Sequence, residues 1–270
     1  MTVPRAKART VLHLAPHPDD ELIGAGATLL GLKRAAWRVV SFACGLGRPE
    51  HRDRRRREFV AASERAGFDR DIQEPPVGLS RGDDLARAQE VLTDATVKCI
   101  RRYEATLVVA PSPHDAHHGH EVVGRAVRDA LESLGDEAPV WWMWGIWADL
   151  PLPTLLFPFS DDLLDEVLNA LRAYRGELER NDYARLVCAR AAANSVLGPE
   201  RVFKFGARGL AEPYAELLTE VVFRGGEWQM CKPRKLDARD PMPGAQPDAL
   251  IDWWLYEPSE GSRLRAVRAP

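Results

Sequence analysis

The chain has 270 residues, 45% of them hydrophobic, which is enough for one large α/β domain with a sizeable core. The formal net charge of −3 lacks the basic excess of nucleic-acid-binding proteins. No apolar run approaches the length of about 20 residues that a membrane span needs, and the start lacks the apolar core of a signal peptide. The four cysteines form no CxxC pair, which argues against a cysteine-rich zinc site and suits a reducing cytosol. We therefore expect a soluble, cytoplasmic protein.

Apolar runs alternate with segments of helical periodicity along the first 150 residues. In chain order they predict a strand at 10–16, a helix at 21–35, a strand at 37–44, helices at 56–67 and 85–103, a strand at 105–112, a helix at 121–135 and a strand at 139–147. Such alternation predicts a parallel sheet with helices on both faces. Ligands of open parallel sheets bind outside the carboxyl ends of the strands.

The pattern changes after residue 150. We expect a proline-rich connection at 151–159, a helical segment at 161–198, and a helix followed by a strand at 214–232. The last forty residues are rich in proline and charge. We therefore assign residues 1–232 to one domain and residues 233–270 to an extended C-terminal arm that is not an independent domain.

One stretch, "HRDRRRRE" at 51–58, is strongly basic. It is typical of the solvated face of a helix, and phosphate or substrate binding is the alternative. Arg55 could hold a substrate hydroxyl or form an ion pair with Glu58, one helical turn further on.

Two polar clusters each follow a predicted strand. The first is "HPDDE", which contains His17, Asp19, Asp20 and Glu21. The second is "PHDAHHGH", which contains four of the seven histidines, His114, His117, His118 and His120. A helix N-terminus with an acidic first turn could explain the first cluster alone, and a surface loop could explain the second.

Together the two clusters favour a metal site, because imidazole suits zinc and related metals. Catalytic zinc usually takes three protein ligands. His17, one acid of the first cluster and one histidine of the second would supply them, leaving another acid and histidine for proton transfer.

The "PHPDDE" motif, joined to a later "HxxH" that opens a helix, resembles the PIG-L or LmbE-like family of zinc-dependent N-acetylglucosaminyl deacetylases. The resemblance spans roughly residues 10–225. It implies that His17, Asp20 and His120 are zinc ligands. It also implies that Asp19 is the general base and that His117 is the partner of the substrate carbonyl.

This chain departs from the family pattern between the two histidines of the second motif. His118 and Gly119 stand where the family commonly has proline and aspartate. That aspartate is thought to orient the first histidine, and Asp115 is the candidate to replace it.

The resemblance implies an α/β fold with a Rossmann-like, mostly parallel sheet and a C-terminal elaboration. It implies a metal-dependent hydrolase, with Zn²⁺ or another divalent transition metal, that removes an N-acyl group, foremost N-acetyl, from a small amino sugar or glycoconjugate. Asp19 would take the proton of the attacking water, and a protonated His117 would stabilise the oxyanion. An amidase acting on a non-sugar amide and a non-catalytic metal-anchored binding module are the alternatives. The oligomeric state stays open, a homo-oligomer included.

Overall fold

The computed structural model describes residues 9–237, 246–251 and 255. Its strands, in chain order, are β1 (Thr10–Ala15), β2 (Arg38–Ala43), β3 (Asp69–Ile72), β4 (Leu107–Pro111), β5 (Val140–Trp144), β6 (Leu155–Phe159), β7 (Tyr214–Arg224), β8 (Glu227–Cys231), β9 (Arg234–Lys235) and β10 (Pro247–Leu250). Its α-helices are α1 (Asp20–Arg34), α2 (Arg52–Ala66), α3 (Leu85–Tyr103), α4 (His118–Leu134), α5 (Asp161–Leu171), α6 (Arg175–Arg180) and α7 (Tyr183–Phe203).

Within the described residues the strands form one ten-stranded sheet in the order β10-β8-β7-β5-β4-β1-β2-β3, in which β6 also pairs with β7, and β9 pairs with β6. Strands β1 to β5 pair in parallel with one another. Strand β7 runs antiparallel to β5, β6 and β8. The fold is therefore the expected α/β class with a mostly parallel half and an added antiparallel half.

Helices cover both faces of the sheet, as the alternating pattern predicts. Helices α3 and α4 pack together on one face, over alternate strand residues such as Leu12 and Val108. Helices α1, α2 and α5 pack on the other face, over residues such as Val11 and Val109. Because the parallel strands are buried on both faces, they are continuously apolar rather than alternating.

Two expectations for the C-terminal half are wrong. The segment at 214–224, expected to be a helix, is the long strand β7. Its fully buried Leu218, Val221 and Val222 are placed between neighbouring strands, and this tertiary pairing overrides local helical preference. The expected connection at 151–159 contains a further strand, β6, which pairs with β7.

The described part of residues 233–270 lies against the sheet. Strand β9 pairs with β6 and strand β10 pairs with β8. Ile251 and Leu255 are each only 1% exposed. The rest of the expected arm lies outside the described residues. None of the helices in the described ranges has both the length and the apolar character needed to cross a bilayer.

Candidate active site

The site lies where two adjacent strands end. His17 and Asp20 follow β1, and His117 and His120 follow β4 at the start of α4. Strands β1 and β4 are paired in parallel, so their carboxyl ends meet at one edge of the sheet. The topology therefore brings together two clusters that are about 100 residues apart in the chain.

His17, Asp20 and His120 form a potential metal-binding group in which the ligand atoms lie within 4.8 Å of one another. Asp20 Oδ2 lies 3.3 Å from His17 Nδ1 and 3.3 Å from His120 Nε2. The same oxygen accepts a hydrogen bond from the His17 backbone N–H at 2.8 Å. Two imidazoles and one carboxylate are a donor set that suits zinc or a related divalent metal.

The charges around Asp20 favour a cation at this point. Burial raises the pKa of Asp20, but the facing His120 and His17 outweigh burial and hold it well below its usual range. Burial lowers the pKa of His120, yet Asp20 and Asp115 outweigh that effect and raise it to about 10. The arrangement therefore stabilises positive charge beside the buried Asp20, which a bound divalent cation would also satisfy.

Asp115 orients His120 rather than His117. Its Oδ2 lies 2.7 Å from His120 Nδ1, which leaves His120 Nε2 facing Asp20. Its Oδ1 accepts backbone hydrogen bonds from Ile146 at 2.7 Å, Trp147 at 2.9 Å and Ala148 at 3.1 Å. Asp115, which we expected to orient His117 in place of the missing family aspartate, therefore orients His120 instead. A carboxylate behind a ligating histidine is a common support of metal sites.

Asp19 lines the same cavity in an unusual backbone conformation. It precedes α1 with φ 112° and ψ −29°, a backbone conformation that residues other than glycine rarely adopt. Burial raises its pKa well above the usual range, and the charges of Asp20, Glu177 and Glu21 add to the effect. Its backbone N–H donates to Glu21 Oε2 at 3.1 Å.

His117 lines the cavity and contacts the rings of two candidate ligands, His17 and His120. Its ring contacts that of His120 at 4.6 Å between centroids and stacks on Trp147 at 5.8 Å. Burial, followed by the charges of His120, His17 and His118, lowers its pKa to about 3. The surroundings therefore hold His117 neutral, which differs from the expected protonated form. A neutral imidazole can still donate one hydrogen bond.

Arg55 lines the cavity but is tethered by a different acid from the one expected. Its guanidinium donates to Glu177 Oε1 at 2.6 Å, whereas Glu58 pairs with the neighbouring Arg54 at 2.8 Å. The side chain of Arg55 on α2 is therefore held by an ion pair with Glu177 on α6. A contact between Arg55 and substrate stays a prediction.

The cavity has a volume of about 770 Å³ and is lined by residues of both polar clusters and of helices α2 and α6. Sequence reasoning did not single out Glu177 and Arg180, because nothing local marks them as neighbours of a motif far upstream. Trp147 carries a weak signal, since it closes the tryptophan-rich run at 141–147. It is 48% exposed, whereas Trp141, Trp142 and Trp144 are fully buried.

Residues 12–131 match the family model PIG-L, whose description is GlcNAc-PI de-N-acetylase. This segment is a PIG-L family domain. It extends from β1 to α4 and therefore contains both clusters of the site. No curated protein matches the chain at a significant level.

Solved structures share their fold with more than three quarters of this chain. The conserved protein TT1542 from Thermus thermophilus is 24% identical, with a TM-score of 0.57, covering 77% of this chain and 92% of its own. The 4-carboxy-2-hydroxymuconate hydratase GalB from Pseudomonas putida KT2440 is 18% identical, with a TM-score of 0.61 and coverage of 80% and 97%. The N,N'-diacetylchitobiose deacetylase from Pyrococcus horikoshii is 20% identical, with a TM-score of 0.56 and coverage of 79% and 84%. These similarities establish the fold, and a hydratase and a deacetylase both occur on it.

Proposed function

We propose that this protein is a metal-dependent deacylase that hydrolyses the N-acyl amide, foremost N-acetyl, of a small amino sugar or glycoconjugate. The observation that carries the proposal is the meeting of His17, Asp20 and His120 at one wall of the cavity that Asp19 and His117 also line. The PIG-L domain supports it, because the description of the family names removal of an acetyl group from N-acetylglucosamine.

His17, Asp20 and His120 would hold the metal, most simply Zn²⁺. A divalent cation there supplies Lewis-acid polarisation of the acyl carbonyl and acidifies the attacking water. Asp115 keeps Nδ1 of His120 engaged, so that Nε2 remains directed at the site.

Asp19 then accepts the proton of the attacking water and returns it to the leaving amine. Its raised pKa suits both steps, since a carboxylate of ordinary pKa would be a weaker base toward the attacking water and would keep less of the transferred proton at neutral pH. His117 donates one N–H toward the oxygen that becomes negative as the amide carbon turns tetrahedral. Trp147, stacked on His117, offers an exposed aromatic face to a sugar ring.

The test is release of acetate and of free amine from a panel of N-acetylated amino sugars and non-sugar amides. The protein is loaded with zinc, and the Asp19→Asn variant is the matched control. We expect turnover of amino sugars by the wild type and a loss of about 10²–10⁴ in rate in the variant. Turnover of non-sugar amides alone would indicate an amidase. Sugar binding without turnover would indicate a binding module. Either result contradicts the proposal.

A further inference from the structure

The residue proposed as the general base has a strained backbone conformation, and it is linked through the neighbouring Glu21 to a tyrosine far along the chain. Asp19 has φ 112°, and its carbonyl accepts hydrogen bonds from the N–H groups of Leu22 at 3.0 Å and Ile23 at 3.1 Å. These bonds belong to the first turn of α1, and they do not by themselves require a positive φ. A residue other than glycine keeps such a conformation only where its surroundings enforce it.

Glu21 supplies one half of that enforcement. It is 1% exposed, and its Oε2 accepts the Asp19 backbone N–H at 3.1 Å. This bond directs the backbone N–H of Asp19 toward the buried carboxylate of Glu21, two residues further along the chain. Glu21 is therefore more than an acidic residue in the first turn of a helix.

Tyr174 supplies the other half. It is fully buried at the start of α6, and its hydroxyl donates to Glu21 Oε1. Glu21 and Tyr174 lie 153 residues apart in the chain. Both carboxylate oxygens of Glu21 are thus engaged, one by the backbone of Asp19 and the other by Tyr174.

We infer that Glu21 and Tyr174 act as positioning residues that fix the backbone of Asp19 and thereby aim its carboxylate at the attacking water. We call this pair the Asp19 clamp. The inference rests on the proposed function for its catalytic consequence, but its structural part concerns only the conformation of Asp19. Because α6 also carries Glu177, which holds Arg55, the segment after α5 fixes two features of the cavity at once.

Tyr174→Phe removes the hydroxyl and keeps the ring. We expect the φ of Asp19 to leave the left-handed region in a crystal structure of the zinc-loaded variant. We expect kcat to fall by about 10²-fold, the effect of misplacing a reacting group by about 1 Å. Metal content and KM should stay within twofold of the wild-type values, because the Tyr174 hydroxyl bonds to Glu21 and not to a candidate metal ligand.

Tyr103→Phe is the matched control. It removes a similar bond, in which the Tyr103 hydroxyl donates to Asp71 at 2.6 Å, at the end of α3 and away from the cavity. Both variants lose one tyrosine–carboxylate hydrogen bond, and Tyr174→Phe should lose more thermal stability because its bond is fully buried. Only Tyr174→Phe should lose kcat. Equal kcat values in the two variants would show that Tyr174 is merely structural and would overturn the inference.

Glu21→Gln and Glu21→Ala form a second pair that does not depend on the folding of the tyrosine variant. Glutamine keeps an oxygen for the Asp19 amide, so it should retain more of kcat than alanine does. Equal losses in the two variants would contradict the clamp.

If the wild-type protein releases no acyl group from any substrate, the proposed function fails. The φ of Asp19 in the Tyr174→Phe structure still decides the clamp. A value that remains near 112° in that structure overturns it.

Discussion

Asp19 and Asp20 are neighbours in the chain, but the fold gives them different surroundings. The Asp20 carboxylate lies between two imidazoles, whereas the Asp19 carboxylate lines the cavity and the backbone of Asp19 is clamped by Glu21. At the scale of single residues, the proposed function therefore assigns metal binding and proton transfer to two different acids. Such a separation can be tested by replacing each acid in turn with its amide.

Asp20→Asn should weaken metal binding, because it removes the negative charge that faces both histidines. Asp19→Asn should retain the metal and lose rate. Elemental analysis after dialysis against a weak chelator, combined with kcat, measures both effects. If Asp19→Asn loses the metal and Asp20→Asn keeps it, the two roles must be exchanged.

His117→Ala tests the oxyanion donor. Because the donated hydrogen bond strengthens only in the transition state, kcat and kcat/KM should fall together by about 10²–10³-fold, with KM and metal content nearly constant. His118→Ala is the control, since His118 stacks on His117 but is outside the proposed set of reacting groups. An unchanged kcat in His117→Ala would remove this residue from the mechanism.

At the scale of elements, helix α4 must approach the loop after β4 very closely to deliver His120. Gly124 makes the approach possible. A Cβ there would lie 2.7 Å from Pro113 N and 2.9 Å from Ser112 C. The neighbours in this contact are backbone atoms, which cannot move aside as a flexible side chain can. A small residue is therefore required one helical turn after His120.

Gly124→Ala should lower Tm, although alanine favours a helix by up to about 1 kcal/mol over glycine. Overpacking costs about 1–3 kcal/mol and is expected to dominate here. Metal retention should fall as well, since α4 carries His120. Gly82→Ala is the control, because its added methyl group would meet nothing within 4 Å. An unchanged or higher Tm in Gly124→Ala would show that the helix can shift without cost.

At the scale of the whole molecule, the net charge of −3 does not show how charges are paired around the cavity, whose lining contains five arginines and five acidic residues. Among its lining residues, Arg54, Arg55 and Arg180 are paired with Glu58 or Glu177. Within the described residues, no acidic side chain is within ion-pair distance of Arg48 or Arg175, and both are exposed. In the basic run at 51–58, Arg54 and Arg55 contact Glu177 of α6, whereas Arg57 is exposed to solvent.

The exposed side chains of Arg48 and Arg175 predict a lower KM for a substrate that carries a phosphate than for its neutral counterpart. N-acetylglucosamine 1-phosphate and N-acetylglucosamine form a matched pair. The difference should shrink as ionic strength rises from about 0.01 to about 1 M, where the screening length falls from about 30 to about 3 Å. It should also shrink in the Arg48→Ala/Arg175→Ala double variant, and Arg87→Ala on α3 serves as the control. Equal KM values for the two substrates at low salt would contradict the prediction.

The sequence by itself determined the first half of this fold, apart from the short polar strand β3, and the position of the two clusters. Apolar runs such as 10–16 and 105–112 and amphipathic segments such as 85–103 are local patterns. Local periodicity decides such elements because each apolar face must be buried. The clusters follow directly on two of those strands, and parallel pairing of neighbouring strands then brings them to one edge. The PIG-L motifs could therefore be recognised without coordinates.

Only the tertiary structure decided what depends on distant partners. Residues 214–224 have a helical pattern in isolation but form a strand, because β5, β6 and β8 supply its hydrogen bonds. Asp115 could have oriented either histidine, and the position of α4 directs it to His120. The contact of Tyr174 with Glu21 spans 153 residues, and no periodicity or motif encodes such a separation. Local sequence fixes which side of an element is buried, whereas the packing of distant elements fixes what each buried polar group meets.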